Sequence, residues 1–161
     1  MFSFDLQTVL PEVILAVYAM VALMAGVYTT KDKSAGILIW ATAAMFGLVA
    51  FLIATREGID PAFLNSFIDD GFARFSKVTI LLSAAIVLVM SQEYLARRNL
   101  VRFEYPVLVT LAVVGMMVMV SANDLMVLYM GIELQSLAMY VVASLRRDSE
   151  KSTEAGLKYF V

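Results

Sequence analysis

Long apolar runs constrain this chain more than any other feature. Gly36–Ala54 has 19 residues without a charge, and Tyr105–Asn123 has another 19. Leu125–Leu145 runs for 21 residues with one charge, Glu133. At ~1.5 Å of rise per residue, each run can cross a hydrocarbon layer ~30 Å thick as a helix. Composition agrees: 61% of residues are hydrophobic and 16% are charged. Soluble domains average about 45–50% apolar and about 25% charged. The expected fold is all-α, a polytopic transmembrane helix bundle.

Five spans can be read, with the start of a sixth. Val9–Tyr28 is the first; Pro11 and Glu12 lie in its opening turn, where a proline and an acid are tolerated. Gly36–Ala54 is the second. The third is expected over about residues 75–94, with Lys77 and Glu93 near its ends. Tyr105–Asn123 and Leu125–Leu145 follow, separated by a tight turn at Asn123 and Asp124. A sixth helix opens at Ser152, an N-cap with Glu154 in the first turn, and only its first turns are present before Val161. A chain stopping there reads as the N-terminal part of a longer subunit. Residues 1–104 form a group of three helices, and residues 105–161 begin a second module.

Several function classes are excluded. There is no cysteine and no histidine. Iron–sulfur ligation, haem attachment and the common zinc sites are therefore ruled out for these residues. Proton chemistry must use Glu, Asp, Lys, Tyr or water. The net charge of −2 gives no basic surface for nucleic acid, and no glycine-rich phosphate loop is present. The N-terminus lacks the basic region of a cleavable signal peptide, since its first charge is Asp5.

Lysine and arginine counts set the expected orientation. Loops 1, 3 and 5 hold Lys31 and Lys33; Arg97, Arg98 and Arg102; and Arg146, Arg147 and Lys151. Loop 2 holds Arg56 and Arg74, and loop 4 holds none. The odd loops are expected in the cytoplasm and the N-terminus in the periplasm, which places Trp40 near the cytoplasmic interface. Loop 2, Thr55–Ser76, is the only long one. The spacing of Phe63 and Phe67 predicts a short interfacial helix there, packed over the bundle or presented to a neighbouring subunit.

Glu133 stands ~12 Å into its span, near the middle of the layer. A carboxylate at such a depth costs at least ~2.5–3.5 kcal/mol, and groups of this kind usually carry protons or ions. Residues 3, 4 and 7 apart share a helix face, so Tyr129, Glu133, Ser136 and Tyr140 form one stripe, with Gln135 off it. The plain alternative is a glutamate that ties two helices, yet such bonds average only ~0.6 kcal/mol in membranes. Lys158 lies ~9 Å into the sixth helix if that helix starts at Ser152. It either faces Glu133 through one or two waters or snorkels to the surface.

Other charges carry less. Glu12 is expected to sit near headgroups, and Lys77 and Glu93 to snorkel from the ends of the third span. Asp124 is expected to cap the fifth helix. The methionines at 116, 117, 119, 126, 130 and 139 read as flexible packing, and Ala43 with Gly47 as a weak helix-contact signal.

Two segments carry a resemblance. Asn123-Asp-Leu-Met-Val-Leu-Tyr-Met-Gly-Ile-Glu133-Leu-Gln-Ser-Leu and Ser152-Thr-Glu-Ala-Gly-Leu-Lys158-Tyr-Phe resemble the subunit N family of bacterial NADH–quinone oxidoreductase, respiratory complex I. That family is the counterpart of mitochondrial NADH dehydrogenase subunit 2. The stretch Phe67-Ile-Asp-Asp-Gly-Phe72 is similar to alphaproteobacterial members. Both segments are more distantly similar to the module shared with Mrp-type antiporter subunits. The resemblance implies the N-terminal part of an antiporter-like fold in a proton-translocating membrane-arm subunit. Such a chain binds no cofactor, while its parent complex uses NADH, FMN, iron–sulfur clusters and quinone. Its partners are other membrane-arm subunits and the lipid bilayer of the bacterial inner membrane. Glu133 would match the family's glutamate on the fifth helix and Lys158 a lysine on the next. An Mrp-type cation/proton antiporter subunit and a structural scaffold are the rival expectations.

Overall fold

The computed structural model describes residues 7–28, 35–56, 60–98, 100–146 and 149–160. Asp5, Lys31, Lys33, Arg147 and Val161 lie outside the described residues. Six helices are described: α1 (Leu10–Tyr28), α2 (Ala35–Ala54), α3 (Gly71–Arg97), α4 (Glu104–Ser121), α5 (Leu125–Ala143) and α6 (Glu150–Phe160). The first five are long and apolar enough to cross a membrane. The all-α expectation holds, with one small addition. Loop 2 contains two three-residue strands, β1 (Asp60–Ala62) and β2 (Phe67–Asp69), paired antiparallel with Pro61 opposite Ile68.

That hairpin replaces the interfacial helix expected from Phe63 and Phe67. The reason is local: Phe63, Leu64 and Asn65 have φ of 51°, 57° and 71°, a left-handed run that no right-handed helix contains. Each apolar member costs roughly 1–2 kcal/mol there. The spacing still separates two environments, because Phe63 is exposed and Phe67 is buried.

α4 is the hub of the bundle. It packs on α1, α3 and α5, touches α2 and β2, and is the most buried of the five spans. α2 lies along α3. Leu15, Ile39, Phe46, Val49, Leu81, Leu88, Val113 and Met117 make the shared core. Polar groups inside it bond locally: Tyr18 donates to Thr42 at 2.9 Å, Thr42 to the Leu38 carbonyl at 2.7 Å, and Thr110 to the Pro106 carbonyl at 2.8 Å. With no water in the layer, such pairing is obligatory.

α4 and α5 meet backbone to backbone at Gly115 and Gly131. A Cβ on Gly115 would fall 2.7 Å from the Gln135 nitrogen and 2.8 Å from the Gly131 oxygen. Small residues permit that approach, and dispersion then substitutes for the hydrophobic drive that lipid removes. The turn between them is short because Asp124 caps α5, its Oδ1 accepting from the Met126 N–H at 3.0 Å. Asp70 caps α3 in the same way through Ala73 at 2.7 Å, which starts that helix before the expected residue 75.

Candidate functional site

Two groups of ionisable side chains stand in the bundle. The first is the α5 stripe. Gly131 and Ala138 are the buried residues of α5, and they define its face toward α4. At 100° per residue, Tyr129, Glu133, Ser136 and Tyr140 lie about 180° from that face. Glu133 is half-buried and hydrogen-bonds with the exposed Tyr129.

α6 arrives on the stripe side of α5, at its far end. Gly156 sits so close that an added Cβ would be 2.8 Å from Ser144 Cβ. The Tyr140 ring meets Tyr159 edge-on at 5.1 Å and Phe160 at 5.6 Å. Ser152 donates to the Ala143 carbonyl at 3.0 Å and so pins the α5–α6 turn. Ser152 lies inside α6, which starts at Glu150, and does not cap it.

Lys158 does not meet Glu133 in this structure. It pairs with Glu154 on its own helix at 2.6 Å, and both side chains are largely exposed. Of the expected site residues, the structure brings Tyr129 to Glu133 and Tyr140 to α6. Ser136 is half-buried on the same face of α5.

The second group corrects the expectation that Glu12 contacts headgroups and Lys77 snorkels to the surface. Lys77 is 0% exposed and Glu12 is 3% exposed. Lys77 Nζ lies 2.8 Å from Glu12 Oε1 and 3.1 Å from Asp69 Oδ1, with the Phe67 ring centroid 5.0 Å away. Arg74 Nε stands 3.9 Å from Asp69 Oδ2. Snorkelling fails because the β2 strand folds back over the start of α3 and brings Asp69 to the lysine. Glu93 does behave as expected, exposed and paired with Arg97 one turn on. A signal for the cluster existed: spans 1 and 3 start at the same side of the membrane, and each carries one member of an opposite-charge pair near that start.

Four membrane-length helices packed around the central span α4, with a lone carboxylate on the fifth span, define a polytopic membrane protein. Residues 122–161 match the family described as NADH:quinone oxidoreductase/Mrp antiporter, TM. The chain is 59% identical to NADH-quinone oxidoreductase subunit N of Jannaschia sp. (strain CCS1), over 100% of this chain and 34% of that relative. It is 62% identical to subunit N of Rhodobacter capsulatus, over 98% of this chain and 33% of the relative. A solved chain of respiratory complex I from Thermus thermophilus with bound aureothin shares the fold, with TM-score 0.72 at 24% identity. That match covers 93% of this chain and 32% of the other. The chain thus belongs to the family of NADH-quinone oxidoreductase subunit N, and it spans about a third of the length of the curated relatives it matches.

Proposed function

We propose that this chain supplies the helices of a proton-translocating membrane-arm subunit up to the acid-bearing fifth span. Its parent is an NADH:quinone oxidoreductase in the bacterial inner membrane. NADH, FMN, iron–sulfur clusters and quinone belong to that parent complex. The neighbours of this chain are lipid and other membrane-arm subunits, and its N-terminus faces the periplasm. Residues 1–104 act as the supporting three-helix part, and residues 105–161 begin the translocating module.

One observation carries the reading. Glu133 is the only charge in a 21-residue apolar run, and its stripe faces away from α4, the helix that α5 packs on most closely. A glutamate kept to tie α5 to α4 would point the other way. The identity to subunit N along the whole chain favours this reading over a stand-alone Mrp-type subunit.

In this reading Glu133 takes up a proton and releases it as electron transfer elsewhere alters its field or hydration. Tyr129 steadies the carboxylate by its hydrogen bond. Ser136 and Tyr140 continue the polar path toward α6. Lys158 joins the path by leaving Glu154 and turning toward α5. Moving one proton against 100 mV requires ~2.3 kcal/mol, so the proton affinity of the path must change by about fiftyfold per cycle.

The test is Glu133→Gln in the full-length subunit within the assembled complex. Assembly and NADH oxidation persist, while protons moved per electron fall sharply. An unchanged proton-to-electron ratio removes Glu133 from the mechanism. A scaffold would instead show lost assembly with normal coupling in whatever complex forms.

A further inference from the structure

We propose that Glu12 is a second proton-binding carboxyl, held at the hairpin end of the bundle by a lysine that it shares with Asp69. This site is separate from Glu133 and does not rest on the role given to that residue.

The sharing is unequal. Lys77 Nζ reaches Glu12 Oε1 at 2.8 Å and Asp69 Oδ1 at 3.1 Å. Asp69 also has the Arg74 guanidinium at 3.9 Å. Glu12 is 3% exposed, and neither of its carboxylate oxygens has a hydrogen-bond partner among the described residues, whereas Lys77 donates its hydrogen bond to Asp69 Oδ1. A buried carboxylate oxygen without a donor is expensive, and one shared ammonium compensates only part of the lost hydration. Of the two acids, Glu12 is therefore the one left without a donor.

The surrounding charges fit that assignment. Arg74 donates to the Arg56 carbonyl at 2.6 Å, and Arg56 donates to the Gln7 carbonyl at 2.7 Å. Asp70 is occupied as the cap of α3, accepting from Ala73. Ser121, at the end of α4, is a buried hydroxyl that adds no charge. Glu12 from α1, Asp69 from β2, and Lys77 and Arg74 from α3 are the ionised members.

A cavity of about 500 Å³ is lined by Ile53, Ala54, Arg56, Arg74 and Phe75. It reaches Arg74, whose Nε stands 3.9 Å from Asp69 Oδ2, while Lys77 and Glu12 lie behind that pair and do not line the cavity. The step is a simple transfer. A hydronium or water-borne proton binds Glu12 Oε2 and leaves water behind. Glu12 becomes a neutral acid, and Lys77 stays an ammonium paired with Asp69. Release runs the same step backward.

Infrared difference spectroscopy of the assembled complex, between acid and neutral buffer, reads the protonated carboxyl directly. A carboxylic-acid band is expected that vanishes in Glu12→Gln and persists in Glu133→Gln. Loss of the band in Glu133→Gln alone overturns this proposal and leaves the reading of α5 intact. Asp69→Asn supplies the second variant should Glu12→Gln fail to assemble. It removes a neighbouring negative charge and gives Lys77 wholly to Glu12, so the band then requires about tenfold more acid or beyond. A midpoint unmoved in Asp69→Asn, or a band unaffected by Glu12→Gln, shows that the cluster is a structural tie only.

Discussion

Replacing Gly131 by alanine puts the α4–α5 crossing under direct test. The added Cβ would lie 2.9 Å from the Gly115 oxygen and 2.9 Å from the Met119 nitrogen. Met119 Cγ, at 2.6 Å, can swing aside, but the two backbone atoms cannot. Ordinary carbon contacts begin near ~3.5 Å, so α5 must retreat by roughly half an ångström. That retreat loosens Ala138 and Leu134 against α4, and overpacking of this kind costs ~1–3 kcal/mol. Alanine also gains up to ~1 kcal/mol of helix propensity over glycine, which a control must subtract. Gly47→Ala on α2 supplies it, because nothing lies within 4 Å of its Cβ position. The difference between the two variants is therefore ~1–3 kcal/mol, with Gly131→Ala the less stable. Unfolding the full-length subunit in mixed micelles of rising denaturing-detergent content measures it. A Gly131→Ala protein as stable as Gly47→Ala would refute the close crossing and the face assigned to Glu133.

Two further outcomes follow from the charges and caps. Lys77→Met leaves Glu12 and Asp69 buried without their ammonium and lowers stability by ~3–5 kcal/mol, most of which Glu12→Gln with Asp69→Asn restores; the same detergent titration reads both. Asp124→Ala removes the acceptor for the Met126 N–H and costs ~1 kcal/mol, visible as earlier exchange of the first-turn amides of α5.

The spans were legible because the bilayer reads composition and length, and both are properties of a segment alone. Asp124 was legible for the same reason: capping is decided within a few residues. Glu12 and Lys77 were not, since their partners come from other elements. Lys77 is an end-of-span lysine by sequence position, and the backward fold of β2 helps to make it the most enclosed cation among the described residues. The hairpin was missed because the spacing of Phe63 and Phe67 suits a helix, while the deciding fact is the left-handed backbone at 63–65. That run comprises two apolar residues and one asparagine, and only Asn65 announces it. Lys158 shows a different gap. Its place on a sixth helix was readable, but its direction was not, because an exposed lysine with a glutamate four residues earlier has a partner on its own helix.

The hairpin then has a place in the larger architecture. Its strand residue Phe67 bridges to Ala122, just past the end of α4. The Asn123 N–H donates to the Ser66 carbonyl at 2.9 Å, and its side-chain amide donates to the Asn65 carbonyl at 2.8 Å. Asp124, the next residue, caps the helix that carries Glu133. On its other side the hairpin presents Asp69 to Lys77, and Lys77 to Glu12. The left-handed turn is costly, and these contacts are what offset it: two hydrogen bonds worth ~1 kcal/mol each and a buried ion pair that collapses if Asp69 moves. A segment anchored at both ends in this way cannot shift at one end alone. The buried lysine thus fixes the position of the α4–α5 turn, and through the cap it fixes the start of the acid-bearing span.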